Sequence, residues 1–365
     1  MTARASKRVG RWSRRLAALL LGTVAAIVLG EGAYRLLEPT PYRLTEYVTV
    51  DGREIPPCEA VNLFGRIAEQ ELYLPKPHAW LPAGLRVRMR YDRPRAKYFD
   101  TDGSIPLSFN SLGFRDDEFA AAKPAGELRI LAIGDSFTYG WGVRIEDAWP
   151  QRLERDLARD RPRGVQVMNA GLAVRAATPD GYDRWLESDG LLLGPDLVIV
   201  GLCLNDMGEV PMLAYPIVPP QPVLGGWSRA LDAAWREIRQ ARVRNEHRDL
   251  SDIVAREPKY WNATQAALKR MRDMLVARRI PFLVVVFPMF SQLDRDYPYA
   301  RLHVMATRFC LDAGIECLDL GPRFVGTDAD HWTVHPTDQH PNDLAHAEFA
   351  IAIAGFLRDR GLLPR

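Results

Sequence analysis

At residues 128–142 the chain reads LRILAIGDSFTYGWG, an apolar run that ends in a glycine, an aspartate and a serine. The apolar part, Leu128 to Ile133, has the length and composition of a strand buried on both faces. Gly134-Asp135-Ser136 then predicts a tight turn into a helix, with the serine hydroxyl presented at the edge of a sheet. Turns and helix caps account for most such motifs, so this one alone assigns no function.

Further apolar runs alternate with helical patterns between this stretch and Arg360. Leu197 to Leu202 and Phe282 to Phe287 are apolar almost throughout, as in strands of a parallel sheet covered by helices on both faces. The sequence predicts an α/β fold, a three-layer α/β/α sandwich around a central parallel sheet, over residues 127–365. The predicted strands are 128–133, 165–168, 197–202, 282–287 and 316–318, and the predicted helices are 147–159, 182–189, 260–279, 299–313 and 344–360.

An insertion at residues 207–256 interrupts this alternation. It contains a proline-rich stretch, residues 211–222, followed by a helical pattern. Trp227, Leu231, Trp235 and Ile238 recur there at helical spacing, which predicts one apolar face. We expect this face to pack against the protein body, and a lid over the substrate or a membrane-facing surface is the alternative.

The amino terminus has the pattern of a membrane anchor. Residues 1–15 carry six Lys or Arg and no acidic residue, and residues 16–37 form an apolar stretch of about 33 Å as a helix. The basic flank predicts a cytoplasmic segment at 1–15, a single transmembrane helix at 16–37 and export of the remainder. A cleaved signal peptide, a twin-arginine signal at Arg14 and Arg15, and a buried amphipathic helix remain alternatives.

The rest of the chain gives no reason to expect nucleic-acid binding. Residues 16–365 carry 42 basic and 46 acidic side chains, a net charge of −4. Residues 38–126 are rich in Pro, Tyr and Arg with short alternating stretches such as 85–91, and they predict an irregular, partly β extension.

Four cysteines in 365 residues do not indicate a disulfide scaffold. Cys203 lies within an apolar run, so we expect a small buried side chain. Cys310 and Cys317 flank a predicted turn from a helix to a strand and leave a disulfide open, and Cys58 lies in the extension.

Ligands of a parallel sheet bind beyond the carboxyl ends of its strands, so polar residues that follow each apolar run are candidates for a site. Gly171 ends the second run, where a glycine lets the backbone approach a ligand. Asn205 follows the third run and can donate an amide N–H to an oxyanion without burying a charge. A turn explains either residue equally well.

Four of the seven histidines fall within residues 331–346. His331 and His335 have the spacing of a helical zinc site, but Pro336 and Pro341 argue against a helix here. The other interpretation is a general base, one of these histidines, that a nearby aspartate orients on the loop before the last helix.

Taken together, these motifs resemble the sequence blocks of the SGNH hydrolases, also called GDSL esterases and lipases. Four blocks occur in the family's order, and the lead-in at residues 110–115 is similar to that of membrane-anchored bacterial members. The blocks are Gly134-Asp135-Ser136, Gly171, residues 201–206 and residues 338–342.

The resemblance implies a flavodoxin-like sheet and a serine nucleophile, with no metal and no cofactor. Carried over by position, Ser136 is the nucleophile, His340 the base and Asp338 the residue that orients it. The oxyanion hole consists of the backbone N–H groups of Ser136 and Gly171 and the side-chain amide of Asn205.

One position departs from the family pattern, in which the aspartate precedes the histidine by three residues. Thr337 occupies that place, and Asp338 precedes His340 by only two residues. Asp328 and His331 have the family spacing but lack the Pro-Asn that follows His340, so they are the alternative pair.

The resemblance implies an exported serine esterase or deacylase that acts on acyl esters, with an envelope glycan or lipid as the substrate. The anchor then belongs to the bacterial inner membrane, and the catalytic domain faces the periplasm or the cell exterior. An O-acyltransferase of an envelope polysaccharide uses the same residues, and a polysaccharide-binding module without activity can share the fold; both stay open at this stage.

Overall fold

The computed structural model describes residues 2–37, 46–53, 76–77, 79, 84–161, 163–171, 178–207, 227–235, 238, 254, 258–290, 293 and 297–364. The chain divides into two compact units. One consists of Met1–Tyr42 and Val218–Glu246, and the other of Arg43–Ile217 and His247–Arg365. The proline-rich stretch and Cys58, both noted in the sequence, lie outside the described residues.

The strands and helices are numbered in chain order. The strands are β1 (Glu46–Val50), β2 (Arg86–Arg90), β3 (Ser104–Ser108), β4 (Leu128–Gly134), β5 (Val165–Gly171), β6 (Leu197–Cys203), β7 (Phe282–Phe287), β8 (Glu316–Asp319), β9 (Thr333–His335) and β10 (Asp338–Pro341). The helices are α1 (Thr2–Leu37), α2 (Ser136–Tyr139), α3 (Trp149–Ala158), α4 (Pro179–Ser188), α5 (Pro258–Ala277), α6 (Ala300–Ala313), α7 (Gly321–Phe324), α8 (Ala329–Trp332) and α9 (Asp343–Asp359).

The larger unit is built on a five-stranded sheet in the order β5-β4-β6-β7-β8. Every neighbouring pair in it is parallel, and β4, β6 and β7 are buried along their whole length. This order is that of a flavodoxin-like, doubly wound sheet. The α/β fold and the parallel sheet predicted from the apolar runs are therefore confirmed.

Helices cover this sheet by means of apolar stripes. In α3 the stripe consists of Trp149, Leu153 and Leu157, which recur at a spacing of four residues and are buried. Helix α3 packs against α9, while α4 packs against α5. The apolar faces that the helical spacing predicts are thus the faces that pack onto the sheet.

A second, antiparallel sheet precedes the parallel one in the chain. It has the strand order β1-β2-β3, and β2 pairs with β3 from Arg86 opposite Ser108 to Arg90 opposite Ser104. Alternate residues of β2, Val87 and Met89, are buried in a hydrophobic cluster that includes Tyr139 and Val334. The small sheet is therefore packed onto segments that carry the site described below.

Arg129 is an unusual side chain in the apolar strand β4, because its guanidinium is fully buried. It donates to the carbonyl oxygens of Ala121 at 2.9 Å and Leu193 at 2.8 Å, and it pairs with Glu127 at 2.7 Å. The carbonyl oxygens of Ala120 and Ala122 accept from the same group. A buried charge is tolerated when its donors are satisfied, so Arg129 fixes the segment that leads into the sheet.

The smaller unit contains α1 and a short helix over residues 229–235. Among the described residues, one helical stretch, Arg14–Leu37, is long and apolar enough to cross a membrane by length and composition. Glu31 in this stretch accepts hydrogen bonds from the backbone of Arg229 at 2.9 Å and Ala230 at 3.1 Å. A carboxylate at the start of a helix satisfies N–H groups that have no partner within the helix.

The apolar stripe predicted on this short helix is largely exposed in the structure. The exposed fraction is 72% for Trp227, 50% for Leu231, 48% for Trp235 and 59% for Ile238. The expectation that this face packs against the protein body stays a prediction, because helical periodicity does not indicate what covers the face.

We expect Arg129→Met to lower the free energy of unfolding by about 3 kcal/mol, since several buried carbonyl oxygens lose their donors. Urea unfolding of the full chain in detergent micelles, followed by tryptophan fluorescence, measures the change. Arg184→Met is the matched control, because this arginine is 70% exposed, and we expect a change of less than about 0.5 kcal/mol. Equal effects of the two variants would contradict the structural role of Arg129.

Candidate active site

The strand register brings three sequence blocks to one edge of the sheet. Gly134 at the end of β4 pairs with Gly171 on one side and with Gly201 on the other. Ser136 and Asn205 follow β4 and β6 directly, so they lie at the same edge as Gly171. The expectation that these blocks converge beyond the carboxyl ends of the strands agrees with this arrangement.

Ser136 is the first residue of α2, and the turn before it is held by a helix cap. The carboxylate of Asp135 accepts from the backbone N–H of Phe137 at 2.9 Å, and Gly140 ends the helix at a φ of 79°. Ser136 is half-buried. As the first residue of a helix it has a backbone N–H with no acceptor within the helix.

The backbone after Ser136 is fixed by the buried guanidinium of Arg115. It donates to the carbonyl oxygens of Tyr139, Gly140 and Val143. Burial lowers the pKa of Arg115. Three carbonyl acceptors on one side chain restrain the short helix and the turn that follows it, and with them the position of Ser136.

His340 and Asp338 lie on β10, which pairs with β9 in a short antiparallel hairpin. The Nε2 atom of His340 is 2.9 Å from Oγ of Ser136, and its Nδ1 atom is 2.6 Å from Oδ1 of Asp338. The sequence places this pair on a loop, and that expectation is wrong. The register of β10 against β9 shifts between Asp338 and Pro341, and the backbone N–H of His340 donates to Oδ1 of Asp338 at 3.1 Å. This local turn brings the two side chains together at a spacing of two residues.

The environment drives the pKa values of the pair apart. Burial raises the pKa of Asp338, but the charge of His340 and the hydrogen bonds to the carboxylate outweigh it, so the pKa lies below its ordinary value. Burial lowers the pKa of His340, but the Asp338 carboxylate outweighs this effect, so the pKa lies above its ordinary value. Asp338 is therefore ionised at neutral pH, where it favours a proton on Nδ1 of His340.

Gly171 and Asn205 face the same edge with their donors partly engaged. The backbone N–H of Gly171 donates to Oδ1 of Asn169 at 3.0 Å, and Nδ2 of Asn205 donates to Oδ2 of Asp135 at 3.1 Å. The second N–H of the Asn205 amide is a further donor. A Cβ at Gly171 would overlap the backbone of Tyr139, so this position requires glycine.

Two buried carboxylates lie behind this edge. Burial raises the pKa of Asp135, and it raises the pKa of Asp206 well above the ordinary value with the nearby Asp135 adding to the effect. Tyr182 donates to Asp206 at 3.4 Å. Two acids that share a buried site resist ionisation together.

The other histidines of the cluster have structural partners. His331 is exposed, and Asp328 caps α8 by accepting from the backbone of Asp330 at 3.0 Å, while the imidazole bonded to Ser136 is that of His340. His335 contacts the carbonyl of Asp92 through Nε2 at 2.8 Å. His346 is buried, and burial lowers its pKa well below the ordinary value. Within the described ranges, no group of three or more His, Cys, Asp or Glu is arranged to hold a metal.

Three cysteines of the larger unit are described by the structure: Cys203 lies in β6, Cys310 in α6 and Cys317 in β8. Cys203 is buried as expected, and Cys203, Cys310 and Cys317 are free thiols. Burial and neighbouring acids raise the pKa of the Cys203 thiol well above its ordinary value. A thiol of this kind is not a nucleophile at neutral pH.

Two contacts to Asp338 have no signal in the sequence. Its Oδ2 atom accepts from the hydroxyl of Tyr91 at 2.8 Å and from the indole Nε1 of Trp141 at 3.2 Å. Trp141 follows the glycine–aspartate–serine motif, whereas Tyr91 lies 247 positions away in the chain. No local pattern relates residues that far apart.

Comparison with models of protein families identifies the family of the chain. The model of the GDSL-like Lipase/Acylhydrolase family matches residues 132–348, more than half of the chain. No curated protein matches the chain. Solved structures also match the chain, at low sequence identity and low structural similarity.

A two-domain esterase active on acetylated mannans is 19% identical, with a TM-score of 0.42 over 66% of this chain and 52% of that one. The chain thus spans about half the length of that esterase. The lipase/acylhydrolase from Enterococcus faecalis is 15% identical, with a TM-score of 0.41 over 64% and 96% of the two chains. The psychrotrophic esterase EstA from Pseudoalteromonas sp. is 13% identical, with a TM-score of 0.39 over 64% and 97%.

The family match includes the four blocks on which the resemblance was based, and it ends within α9. The resemblance to the SGNH hydrolases inferred from those blocks is confirmed. The chain belongs to the GDSL-like lipase/acylhydrolase family.

Proposed function

We propose that this protein is a serine esterase in which Ser136, His340 and Asp338 form the catalytic triad. One observation carries the proposal, namely the continuous hydrogen-bonded chain from Oγ of Ser136 through the His340 ring to Asp338, at 2.9 Å and 2.6 Å. A serine hydroxyl is a weak nucleophile at neutral pH, and an imidazole within hydrogen-bond distance is the base that activates it. A buried carboxylate on the other ring nitrogen fixes the tautomer.

The reaction proceeds through an acyl-enzyme. Oγ of Ser136 attacks the acyl carbon as its proton moves to Nε2 of His340. The tetrahedral intermediate then collapses, the bond from the acyl carbon to the alcohol oxygen breaks, and His340 returns the proton to the departing alcohol. Water attacks the acyl-enzyme with His340 again as the base, which releases the carboxylic acid and restores Ser136.

The negative charge that forms on the former carbonyl oxygen needs donors at the sheet edge. We assign this role to the backbone N–H groups of Ser136 and Gly171 and to the second N–H of the Asn205 amide. Each such donor contributes about 3 kcal/mol to the stabilisation of the transition state. The contact from Asn205 to Asp135 supports the assignment, because it fixes the orientation of the amide.

We also propose that the stretch Arg14–Leu37 anchors the enzyme in a membrane. Its basic flank favours a cytoplasmic amino terminus, so the hydrolase faces the periplasm or the cell exterior. An enzyme held there meets ester-linked acyl groups on envelope glycans or lipids, which we propose as its substrates. Water is the acyl acceptor in this proposal.

We expect Ser136→Ala to abolish the hydrolysis of aryl acetate esters and the labelling of the full chain by a fluorophosphonate probe. Ser111→Ala is the matched control, because Ser111 is exposed and bonds to Glu118, and it should keep both activities. Hydrolysis rates and in-gel fluorescence measure the outcome. Labelling of Ser136→Ala at the level of the native protein would exclude Ser136 as the nucleophile.

The acyl acceptor is identified from the products of the same assay with and without an oligosaccharide. Hydrolysis predicts free acetate in both, detected by mass spectrometry or an acetate assay. If acetylated oligosaccharide forms at the expense of free acetate, the reaction is acyl transfer and not hydrolysis, and the triad assignment is unchanged.

We expect Asn205→Ala to reduce kcat at least about a hundredfold with little change in KM, since the amide acts on charge that develops only in the transition state. Steady-state kinetics on an aryl ester give the two constants separately. A rise in KM at constant kcat would instead indicate that Asn205 binds the substrate in its ground state.

The pH dependence follows from the His340 pKa. The base must be neutral, and its pKa is raised above its ordinary value of about 6.5, so kcat/KM should fall as the pH decreases through a value above about 6.5. Asp338→Asn removes the charge that raises this pKa, which should move the acid limb to lower pH and reduce kcat at least about a hundredfold. An acid limb at the same pH in both proteins would contradict the pairing of Asp338 with His340.

A further inference from the structure

The second oxygen of the Asp338 carboxylate is bound by groups from outside its own hairpin. Its Oδ1 atom accepts from the backbone N–H of His340 at 3.1 Å and from the ring at 2.6 Å. Its Oδ2 atom accepts from Tyr91 at 2.8 Å and from Trp141 at 3.2 Å. A carboxylate has about four acceptor positions, so the buried Asp338 is fully satisfied only with these two external donors.

Tyr91 is held rigidly where the strand β2 ends. It is 2% exposed, and its backbone N–H donates to the carbonyl of Gly103 at 3.0 Å. Its ring packs edge-on against Phe99 at 5.1 Å. Gly142 has a φ of 78°, and a Cβ there would meet the Tyr91 hydroxyl. The hydroxyl is thus fixed by close packing from both sides.

A second contact joins the same part of the chain to the hairpin. Nε2 of His335, on β9, is 2.8 Å from the carbonyl of Asp92, the residue after Tyr91. The Tyr91 ring also packs against the His335 ring at 5.6 Å. Burial lowers the pKa of His335, so this ring is neutral and Nε2 can donate to the carbonyl. The hairpin therefore contacts the Tyr91–Asp92 segment through both of its strands.

We propose that Tyr91 is a positioning residue for the Asp338–His340 pair. The small antiparallel sheet then contributes to the active site, because Tyr91 directly follows its strand β2. The proposal rests on the triad proposed above and adds a function for a segment that the sequence left unassigned. Tyr91 does not touch the reacting atoms; it acts through Asp338.

The need for such a residue follows from the freedom of an aspartate side chain. The terminal torsion of aspartate is broad and roughly two-fold, so a carboxylate held only through one oxygen can rotate. Rotation would lengthen the contact between Oδ1 and the His340 ring. The Tyr91 hydroxyl restrains the other oxygen, and its contact with Asp338 is shorter than that of Trp141.

The same hydrogen bond draws negative charge away from the carboxylate. A donor on Oδ2 stabilises ionised Asp338 and weakens its pull on the proton of Nδ1, which limits the rise of the His340 pKa. Other titratable groups that interact electrostatically with Asp338 or His340 are His335, Tyr98, Asp135 and His346. These groups remain in place when only the Tyr91 hydroxyl is altered.

The experiment compares Tyr91→Phe with Tyr98→Phe in the full chain. Tyr98 lies beside the same cluster with its ring 4.6 Å from Phe99, and its buried hydroxyl has no hydrogen-bond partner among the described residues. We expect Tyr91→Phe to lower kcat about tenfold with KM within about twofold. Its acid limb of kcat/KM should move to higher pH by roughly half a unit. Tyr98→Phe should leave all three quantities unchanged, because burial raises the pKa of Tyr98 and the lost hydroxyl carries no charge over this pH range.

A second change tests the hydroxyl without removing it. Replacement of Tyr91 by 3-fluorotyrosine keeps the shape and makes the hydroxyl a stronger donor, so the acid limb should move to lower pH, opposite to Tyr91→Phe. A purely structural role predicts no such reversal of sign. This variant also keeps the proposal testable where Tyr91→Phe does not fold, as judged from its thermal unfolding midpoint.

The outcomes separate this inference from the proposed function. If Ser136→Ala keeps native activity, the proposed triad is wrong, and the positioning role of Tyr91 is wrong with it. If Ser136→Ala is inactive while Tyr91→Phe has the same kcat, KM and acid limb as Tyr98→Phe, only the positioning role of Tyr91 is overturned. A lower kcat in Tyr91→Phe with the acid limb unmoved in both Tyr91 variants would also overturn it, because the effect would not pass through Asp338.

Discussion

The register of the parallel sheet is the constraint on which the site depends. Gly134 faces Gly171 and Gly201 across two neighbouring ladders, so the ends of β5, β4 and β6 are level. A shift of one residue in either ladder would move one of these glycines out of its place, and a Cβ at any of the three positions would come within 3 Å of a neighbouring atom. Close packing at the three glycines therefore holds the alignment, and the alignment sets the distance between Ser136, Gly171 and Asn205.

The sequence predicted most of this arrangement because the sheet is buried on both faces. Continuous apolar runs such as Phe282–Phe287 locate the strands, and the first polar residues after them locate the edge. The hairpin of His340 was not predicted. Its strands β9 and β10 span only three and four residues, too short to show an alternating pattern. Proline at 336 and 341 argued for a loop instead.

Contacts that depend on tertiary packing left no mark on the sequence. The spacing of Asp338 and His340 departs from the family pattern, and the local turn in β10 explains it only once the hairpin is known. The donors on the other carboxylate oxygen come from the residue that follows β2 and from the turn after α2, which no periodicity links to β10. The stripe around Trp227 has the same limit, because a helical period does not indicate what covers the face.

The pKa values of the buried carboxylates Asp135 and Asp338 shift in opposite directions, although burial raises both. Asp135 accepts from Phe137 and Asn205, yet desolvation dominates and raises its pKa. Asp338 is as deeply placed, but a charged partner and four donors keep it ionised. Ionised Asp338 faces the imidazole and stabilises its protonated form, whereas Asp135 caps α2 and fixes the Asn205 amide.

The contact between Gly171 and Asn169 bears on how the proposed oxyanion site distinguishes ground state from transition state. The N–H of Gly171 donates to a neutral amide oxygen, Oδ1 of Asn169, at 3.0 Å. An oxyanion is a stronger acceptor than an amide, whereas an ester carbonyl is not. The N–H of Gly171 therefore gains little by exchanging Asn169 for the ester carbonyl, but it gains a stronger hydrogen bond as negative charge accumulates on that oxygen. An interaction that strengthens only along the reaction coordinate lowers the barrier without tightening the binding of the ester.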